Sequence, residues 1–216
     1  MGTLTDHVPK PLINVAGRPL LDFTLEIASS AKIAKVVVNA HYLANQIVTY
    51  LTGRDVTISI EHDQILETGG GLKAALPLLG NDPVLTLNSD AVWTGPNPLD
   101  QLMRAWDGTK MDCLLLVLPA NNAAGHGGFS DFLLGADGQL SRANGDVGYV
   151  YLGAQIIRTD GLIMIEDAVF SLNVLWDHMI ASGRAFGLVH AGGWCDVGTP
   201  QGIIEAEAML ADLRHV

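Results

Sequence analysis

The chain has 216 residues, 49% of them hydrophobic and 16% charged, which suffices for a buried core without staples and excludes a disordered chain. Twelve basic residues against 23 acidic ones give a formal charge of −11; without a basic run, a nucleic-acid footprint is excluded. The longest apolar stretches, such as 113–118, fall far short of a bilayer span, which excludes a membrane-spanning helix.

The start, Met1-Gly2-Thr3-Leu4-Thr5-Asp6, is polar and lacks the pattern of a signal peptide, so a soluble cytoplasmic protein is expected. Cys113 and Cys195 are too few for a disulfide framework and read as buried thiols.

In chain order, apolar residues at helical spacing (Leu21, Leu25, Ala28) predict a helix over 21–31, and the run Lys35-Val36-Val37-Val38-Asn39 predicts a buried strand. A helix follows over 43–51, with Leu43, Ile47 and Leu51 on one face, and the two-residue alternation of 56–60 predicts a strand. Residues 69–79 read as a helix opened by glycines and closed late by Pro77, followed by a strand at 84–88, a helix at 99–106 and a strand at 113–118. Strands at 129–134 and 150–157 then flank the turn Ala136-Asp137-Gly138, and helices are predicted over 172–182 and 200–213. The last of these has Thr199 as N-cap and Pro200 at its first position. Alternating units of this kind predict an α/β fold: a Rossmann-like, mostly parallel sheet with helices on both faces, in one domain over 1–216.

In such a sheet ligands bind beyond the carboxyl ends of strands. Asp90, in Asn88-Ser89-Asp90, follows a strand and suits a magnesium ligand, although a turn aspartate is the commoner role for one seen alone. Asp196, in Trp194-Cys195-Asp196-Val197-Gly198-Thr199-Pro200, precedes the last helix; convergence with Asp90 on one metal would explain both, and sequence alone does not establish it. Glu67-Thr68-Gly69-Gly70-Gly71 lets backbone approach a ligand at a helix N-terminus, without the spacing of a Walker or Rossmann loop. Lys10, held between Pro9 and Pro11, suits a phosphate contact. The seven histidines have no metal-ligand spacing; His41 and His126 stand where a ligand could reach, and each reads first as structural.

The order of these signals (Pro9-Lys10-Pro11-Leu12, Glu67 to Gly71, Asn88-Ser89-Asp90, Trp194 to Pro200) resembles the nucleotidyltransferases that make NDP-sugars. Within them it is most similar to the short bacterial N-acetylmuramate-1-phosphate uridylyltransferases of peptidoglycan recycling. The resemblance implies a nucleotide-binding half over about 1–120 and a sugar-phosphate half over about 121–216. It implies an NTP, with UTP favoured, and a sugar-1-phosphate as substrates, with Mg²⁺ as cofactor. Asp90 and Asp196 would hold the metal and Lys10 would contact the phosphates; Gly69, Gly70 and Gly71 would face the base, and Glu67, Asn88 and His126 would be further substrate-binding residues. The neighbourhoods of Gly128 and Gly153 would lie against the sugar.

The family opens with a strand and a glycine-rich loop ending in an Arg-Met-type sequence, and Met1 falls where that methionine would stand. The resemblance therefore implies an internal or truncated start, with unpaired strand edges and weak or absent activity. Two other readings compete: a non-catalytic nucleotide- or sugar-phosphate-binding protein, and a metal-dependent glycosyltransferase with Asn88-Ser89-Asp90 as a loose Asp-x-Asp motif.

Overall fold

The computed structural model describes residues 2–62, 64–80 and 83–212. After 3₁₀ turns at Gly2–Thr5 and Lys10–Leu12, a hairpin of β1 (Asn14–Val15) and β2 (Arg18–Pro19) leads into α1 (Leu20–Ser30). Its two-residue turn has φ of 50° at Ala16 and 80° at Gly17, the left-handed pair that matches the twist of a tight hairpin. Next come β3 (Val37–Ala40), α2 (Ala44–Leu51), β4 (Thr57–Ile60), α3 (Glu67–Leu79), β5 (Val84–Leu87), β6 (Ala91–Trp93), α4 (Pro98–Ala105) and β7 (Cys113–Pro119). The remainder comprises β8 (Phe132–Leu134), β9 (Leu140–Arg142), β10 (Tyr149–Ile157), α5 (Asn173–Ala181), β11 (Ala185–Val189), β12 (Trp194–Asp196) and α6 (Pro200–Asp212). The expected caps hold at α6, where the Thr199 hydroxyl accepts from the Gly202 N–H at 3.0 Å. Leu213, expected to end that helix, and Met1 lie outside the described residues.

The central sheet carries β11, β7 and β10 in order, and the other edge of β10 is shared by β5 and β8, with β9 outside β8. The α/β class is as expected, with one refinement. Strands β5, β7 and β11 run one way, while β10, nine residues long, runs against them between β5 and β7. The sheet is therefore mixed, and β10 and β11 from the second half of the chain complete a sheet begun by the first.

Both faces of the sheet are covered. Along β7, Leu114, Leu116 and Leu118 pack with Leu99 and Leu102 of α4 and Ala28 of α1, while Cys113, Leu115 and Val117 pack with Leu72 of α3 and Leu175, Trp176 and Met179 of α5. This two-faced alternation explains the unbroken apolar run 113–118: a strand with helices on both sides has no polar face. No helix among the described residues is long and apolar enough to cross a membrane.

The first strand–helix units form a separate ribbon. Among the described residues β3 pairs only with β4, in parallel, and β5 only with β10. The other sides of β3 and β5 line a cleft of about 560 Å³, with Val36, Val37 and Val38 on one wall and Leu85, Thr86 and Leu87 on the other. Helices α1 (Leu21, Leu25) and α3 (Leu72, Ala75, Leu79) complete it. Lys10 fixes the direction of both walls. It bonds to Asp90 just beyond β5, and with Asn39, Ala40 and His41 at the end of β3 it lines a neighbouring cavity of about 440 Å³. Both strands thus end at one mouth.

Candidate active site

Two three-residue strands build the acidic part of that mouth. β6 and β12 pair antiparallel with Ala91 opposite Asp196, and the Val197 N–H donates to the Asp90 carbonyl at 2.8 Å. Asp90, one residue before β6, and Asp196, the last of β12, are thereby brought side by side across 106 positions of sequence. Burial, and next the charge of Asp90, push the Asp196 carboxyl above the usual carboxylate range, against the opposing pull of Lys10, His126 and the Gly198 backbone N–H. The Lys10 ammonium donates to Asp90 Oδ2 at 2.8 Å, with both side chains about one-third exposed. In that setting the contact adds little to stability; its consequence is to fix a cation beside two carboxylates.

The 3₁₀ turn at Lys10–Leu12, entered from Pro9 in extended geometry (φ −65°, ψ 142°), positions this lysine as the flanking prolines imply.

The donor set fits a magnesium ion. Two adjacent carboxylates repel one another, a cation between them relieves the repulsion, and Mg²⁺ is ordinarily held by one or two carboxylates together with waters and substrate phosphate oxygens. Among the described residues no group of three or more His, Cys, Asp or Glu converges as a metal cage, so the remaining ligands would come from water and substrate.

The glycines at the start of α3 divide into two roles. The Gly69 and Gly70 N–H groups donate to the Phe170 carbonyl at 2.9 and 3.1 Å, and a Cβ would drive Gly69 into the Phe170 ring and Gly70 into the Ala168 carbonyl. The structure gives those two a packing reason. Gly71 instead lines the cleft, together with Glu67 and Thr68. Glu67 opens α3 with φ of +60°, a left-handed backbone rarely adopted by a residue with a side chain. The Thr68 hydroxyl anchors the turn by accepting from the Leu172 N–H at 3.0 Å.

Opposite this turn, the Asn88 N–H donates to the Gly153 carbonyl at 2.8 Å, and Asn88, Ser89 and Asp90 all line the cleft. Gly153 sits in the irregular stretch of β10 at φ +83°, where a Cβ would stand 2.8 Å from Asn88 Cβ and 2.9 Å from its Cγ and Nδ2. Asn88 therefore occupies the space a side chain at 153 would need. His126 is near enough to act on Asp196 electrostatically; its ring is tilted against Trp194, and Nε2 is buried against Gly128, without a hydrogen-bond partner among the described residues. Neither His126 nor Gly128 lines the main cleft.

The mouth thus gathers Lys10, Glu67, Gly71, Asn88 and Asp90, with Asp196 beside Asp90. It also contains residues the sequence reading passed over. Asn39 is the penultimate residue of β3 and Glu61 follows β4, and both line the cleft. Their signal was present, since each is polar and stands at the carboxyl end of a strand, where Asp90 was sought. His41 lines the smaller cavity beside Lys10 and is tied by Nδ1 to the Glu61 carbonyl at 2.8 Å.

Residues 1–136 match the family of MobA-like NTP transferase domains. The chain is 36% identical, over 98% of its length and 92% of the relative's, to the N-acetylmuramate alpha-1-phosphate uridylyltransferase of Caulobacter vibrioides. To the protein of the same description from Neisseria meningitidis serogroup B it is 32% identical, over 97% of this chain and 92% of that one. Among solved structures, HddC from Yersinia pseudotuberculosis complexed with GMP-PN superposes with a TM-score of 0.79 at 16% identity, covering 97% of this chain and 93% of that one. A putative glucose-1-phosphate thymidylyltransferase from Bacillus anthracis superposes at 0.80 and 13% identity, covering 98% and 90%. At such identities these two similarities carry the fold.

Proposed function

The chain belongs to the MobA-like NTP transferase family, and from that premise we propose that it transfers a nucleotidyl group from UTP to N-acetylmuramate α-1-phosphate, releasing pyrophosphate. The observation that carries this reading is the β6–β12 ladder, which sets Asp90 and Asp196 together beside Lys10 at the open end of a cleft.

In the proposed reaction an oxygen of the sugar phosphate attacks the α-phosphorus, forming a new P–O bond, while the bond to the β-phosphate bridging oxygen breaks and pyrophosphate leaves. The protein's share is positioning and charge neutralisation rather than covalent chemistry. Asp90 and Asp196 would hold a Mg²⁺ ion that neutralises charge on the α-phosphate. Lys10, which donates to Asp90 Oδ2, would contact the phosphates. Glu67 and Gly71 flank the nucleotide, with Gly69 and Gly70 setting the turn behind them, and Asn88 spaces the nucleotide from the sugar. His126, Gly128 and Gly153 shape the sugar side. We place the reaction in the cytoplasm, in the recycling of cell-wall sugars.

The test is pyrophosphate release with Mg²⁺, four NTPs and a panel of sugar-1-phosphates. Release from UTP with N-acetylmuramate α-1-phosphate supports the assignment. Transfer with another sugar phosphate corrects the substrate, and silence across the panel with folded protein refutes the activity. Free nucleoside diphosphate in place of pyrophosphate would instead identify glycosyl transfer.

A further inference from the structure

The β6–β12 ladder that carries Asp196 is closed at its far end by a loop, residues 190–193, pinned on Thr94. The Thr94 N–H donates to the Gly193 carbonyl at 2.9 Å, and the Gly193 N–H donates to the Thr94 hydroxyl at 3.0 Å. The two backbones touch so closely that a Cβ on Gly192 would collide with the Thr94 carbonyl. From Gly193 the chain enters β12 directly, and Asp196 ends that strand. Beyond it the Val197 N–H donates to the Asp90 carbonyl at 2.8 Å.

His190 opens this loop. Its backbone N–H donates to the Val117 carbonyl of β7 at 3.0 Å, and its ring is buried, 3% exposed, perpendicular to Trp93 at 5.1 Å. Gln101 of α4 reaches the same place. Its Oε1 accepts from the Ala191 N–H at 3.0 Å and its Nε2 donates to the Pro96 carbonyl at 3.0 Å, so two backbone groups fix which end of the amide is which. Nε2 then faces His190 Nδ1 at 2.9 Å as a donor, and Nδ1 must accept. The ring is therefore neutral, with its proton on Nε2, 3.2 Å from the Thr94 carbonyl oxygen. A second proton, on Nδ1, would meet an N–H. Turning the amide would give no relief, because it would set an N–H against the Ala191 N–H and an oxygen against the Pro96 carbonyl. Burial holds the ring below its ordinary value against the pull of the Thr94 and Gly193 backbone, and no charged side chain contributes. β6 carries no titratable group, α4 carries Asp100 and Arg104 near Gln101, and β12 carries Cys195 and Asp196.

We infer that neutral His190 is a positioning residue for Asp196: it latches the open end of the β6–β12 ladder, and protonation of its ring releases that latch. The inference rests on reading Asp196 as part of the transfer site. A ring that recovers its ordinary value of about 6.5 in the opened loop favours opening by up to about tenfold between pH 7.5 and 5.5.

The experiment measures amide hydrogen exchange of Thr94, Gly193 and Val197 at pH 7.5 and 5.5, corrected for the intrinsic pH dependence of exchange, with Mg²⁺-dependent pyrophosphate release in parallel. Wild type is compared with His190→Gln, which takes no second proton, and with Gln101→Glu, whose second carboxylate oxygen gives a protonated Nδ1 its acceptor. Wild-type protection and release at pH 5.5 are expected to fall, relative to His190→Gln, by up to about tenfold. Gln101→Glu is expected to keep at pH 5.5 the protection it has at pH 7.5. The titration of Asp90 and Asp196 is common to the three proteins and cancels in the ratios. Equal pH dependence of exchange in wild type and His190→Gln overturns the inference, as does a folded Gln101→Glu that opens as the wild type does, or wild-type opening at pH 5.5 with no relative loss of release. Exchange as expected with no release from any of the proteins would refute the transferase reading and leave the latch standing; release with exchange indifferent to His190 would do the reverse.

Discussion

Replacing Gly153 by alanine isolates how the fold spaces the two halves of the site. The substitution acts twice. At φ +83° a side chain meets left-handed strain of about 1–2 kcal/mol. The new Cβ would also stand 2.8–2.9 Å from Asn88, an overpacking that typically costs about 1–3 kcal/mol. Together these predict a loss of about 2–5 kcal/mol, a large share of the about 5–15 kcal/mol by which a native fold is stable. For a chain of this size that lowers the melting temperature by about 4–20 °C.

Gly53 provides the control, since its φ of +81° is nearly the same and a Cβ there would meet nothing within 4 Å. Gly53→Ala should show the backbone strain alone, so the difference between the two melting curves measures the collision with Asn88. Transfer activity, read as kcat/KM at a temperature where both variants are folded, should fall about tenfold or more only in Gly153→Ala, because Asn88 is driven toward the cleft. Equal melting temperatures for the two variants, or undiminished activity in Gly153→Ala, would refute the claim that position 153 sets the place of Asn88.

Asp196→Asn is expected to lower Mg²⁺-dependent pyrophosphate release on the order of a hundredfold or more while leaving the melting temperature near wild type, since it removes one of the two carboxylates proposed to hold the metal; near-wild-type release would overturn that role for Asp196. Burial pushes the Cys113 thiol up to about 12 and the Cys195 thiol up to about 11, so neither should react with a disulfide reagent at pH 8 in the native protein, and both should react in denaturant. Burial also holds His190 below its ordinary value, against the opposing pull of its hydrogen bonds with the Thr94 and Gly193 backbone. The unfolded chain then takes up this proton first as pH falls. The stability due to the neutral ring is whole above about pH 6.5 and is lost below it, as the pH descends toward the folded value. Urea midpoints at pH 7.5 and 5.5 should separate more for wild type than for His190→Gln, and equal separations would refute this.

Much of the architecture was legible because its signals are local. The run 113–119 is a continuous apolar strand, 84–87 is apolar but for Thr86, and 44–51 has one apolar stripe; each became the element its pattern implies. The active-site geometry was less legible, for reasons of range. β6 (Ala-Val-Trp) and β12 (Trp-Cys-Asp) are three residues each, too short for any period to register, and they read as turns. Yet their ladder alone decides whether Asp90 and Asp196 meet. β11 was passed over because Gly187 interrupts its five residues, and that glycine is there because a Cβ would stand 2.8 Å from Leu140 Cδ2. The strand expected from 129 begins only at Phe132, leaving Phe129 exposed. A residue's distant neighbours, not its own pattern, decided each of these cases.

The cleft between β3 and β5 also bears on how the molecule opens. The β3–β4 ribbon has its own small core, Leu21, Ala40, Ile47 and Leu51, distinct from the two clusters that sandwich the main sheet. With no ladder crossing the cleft among the described residues, the amides of this ribbon are expected to exchange with solvent through local opening that leaves the main sheet intact. It carries Asn39 and Glu61, while the main sheet carries Asp90 and Asp196. A nucleotide spanning the mouth would therefore act as a tie between two units of unequal stability, and its affinity would be written in the slowed exchange of Val37 to Ala40.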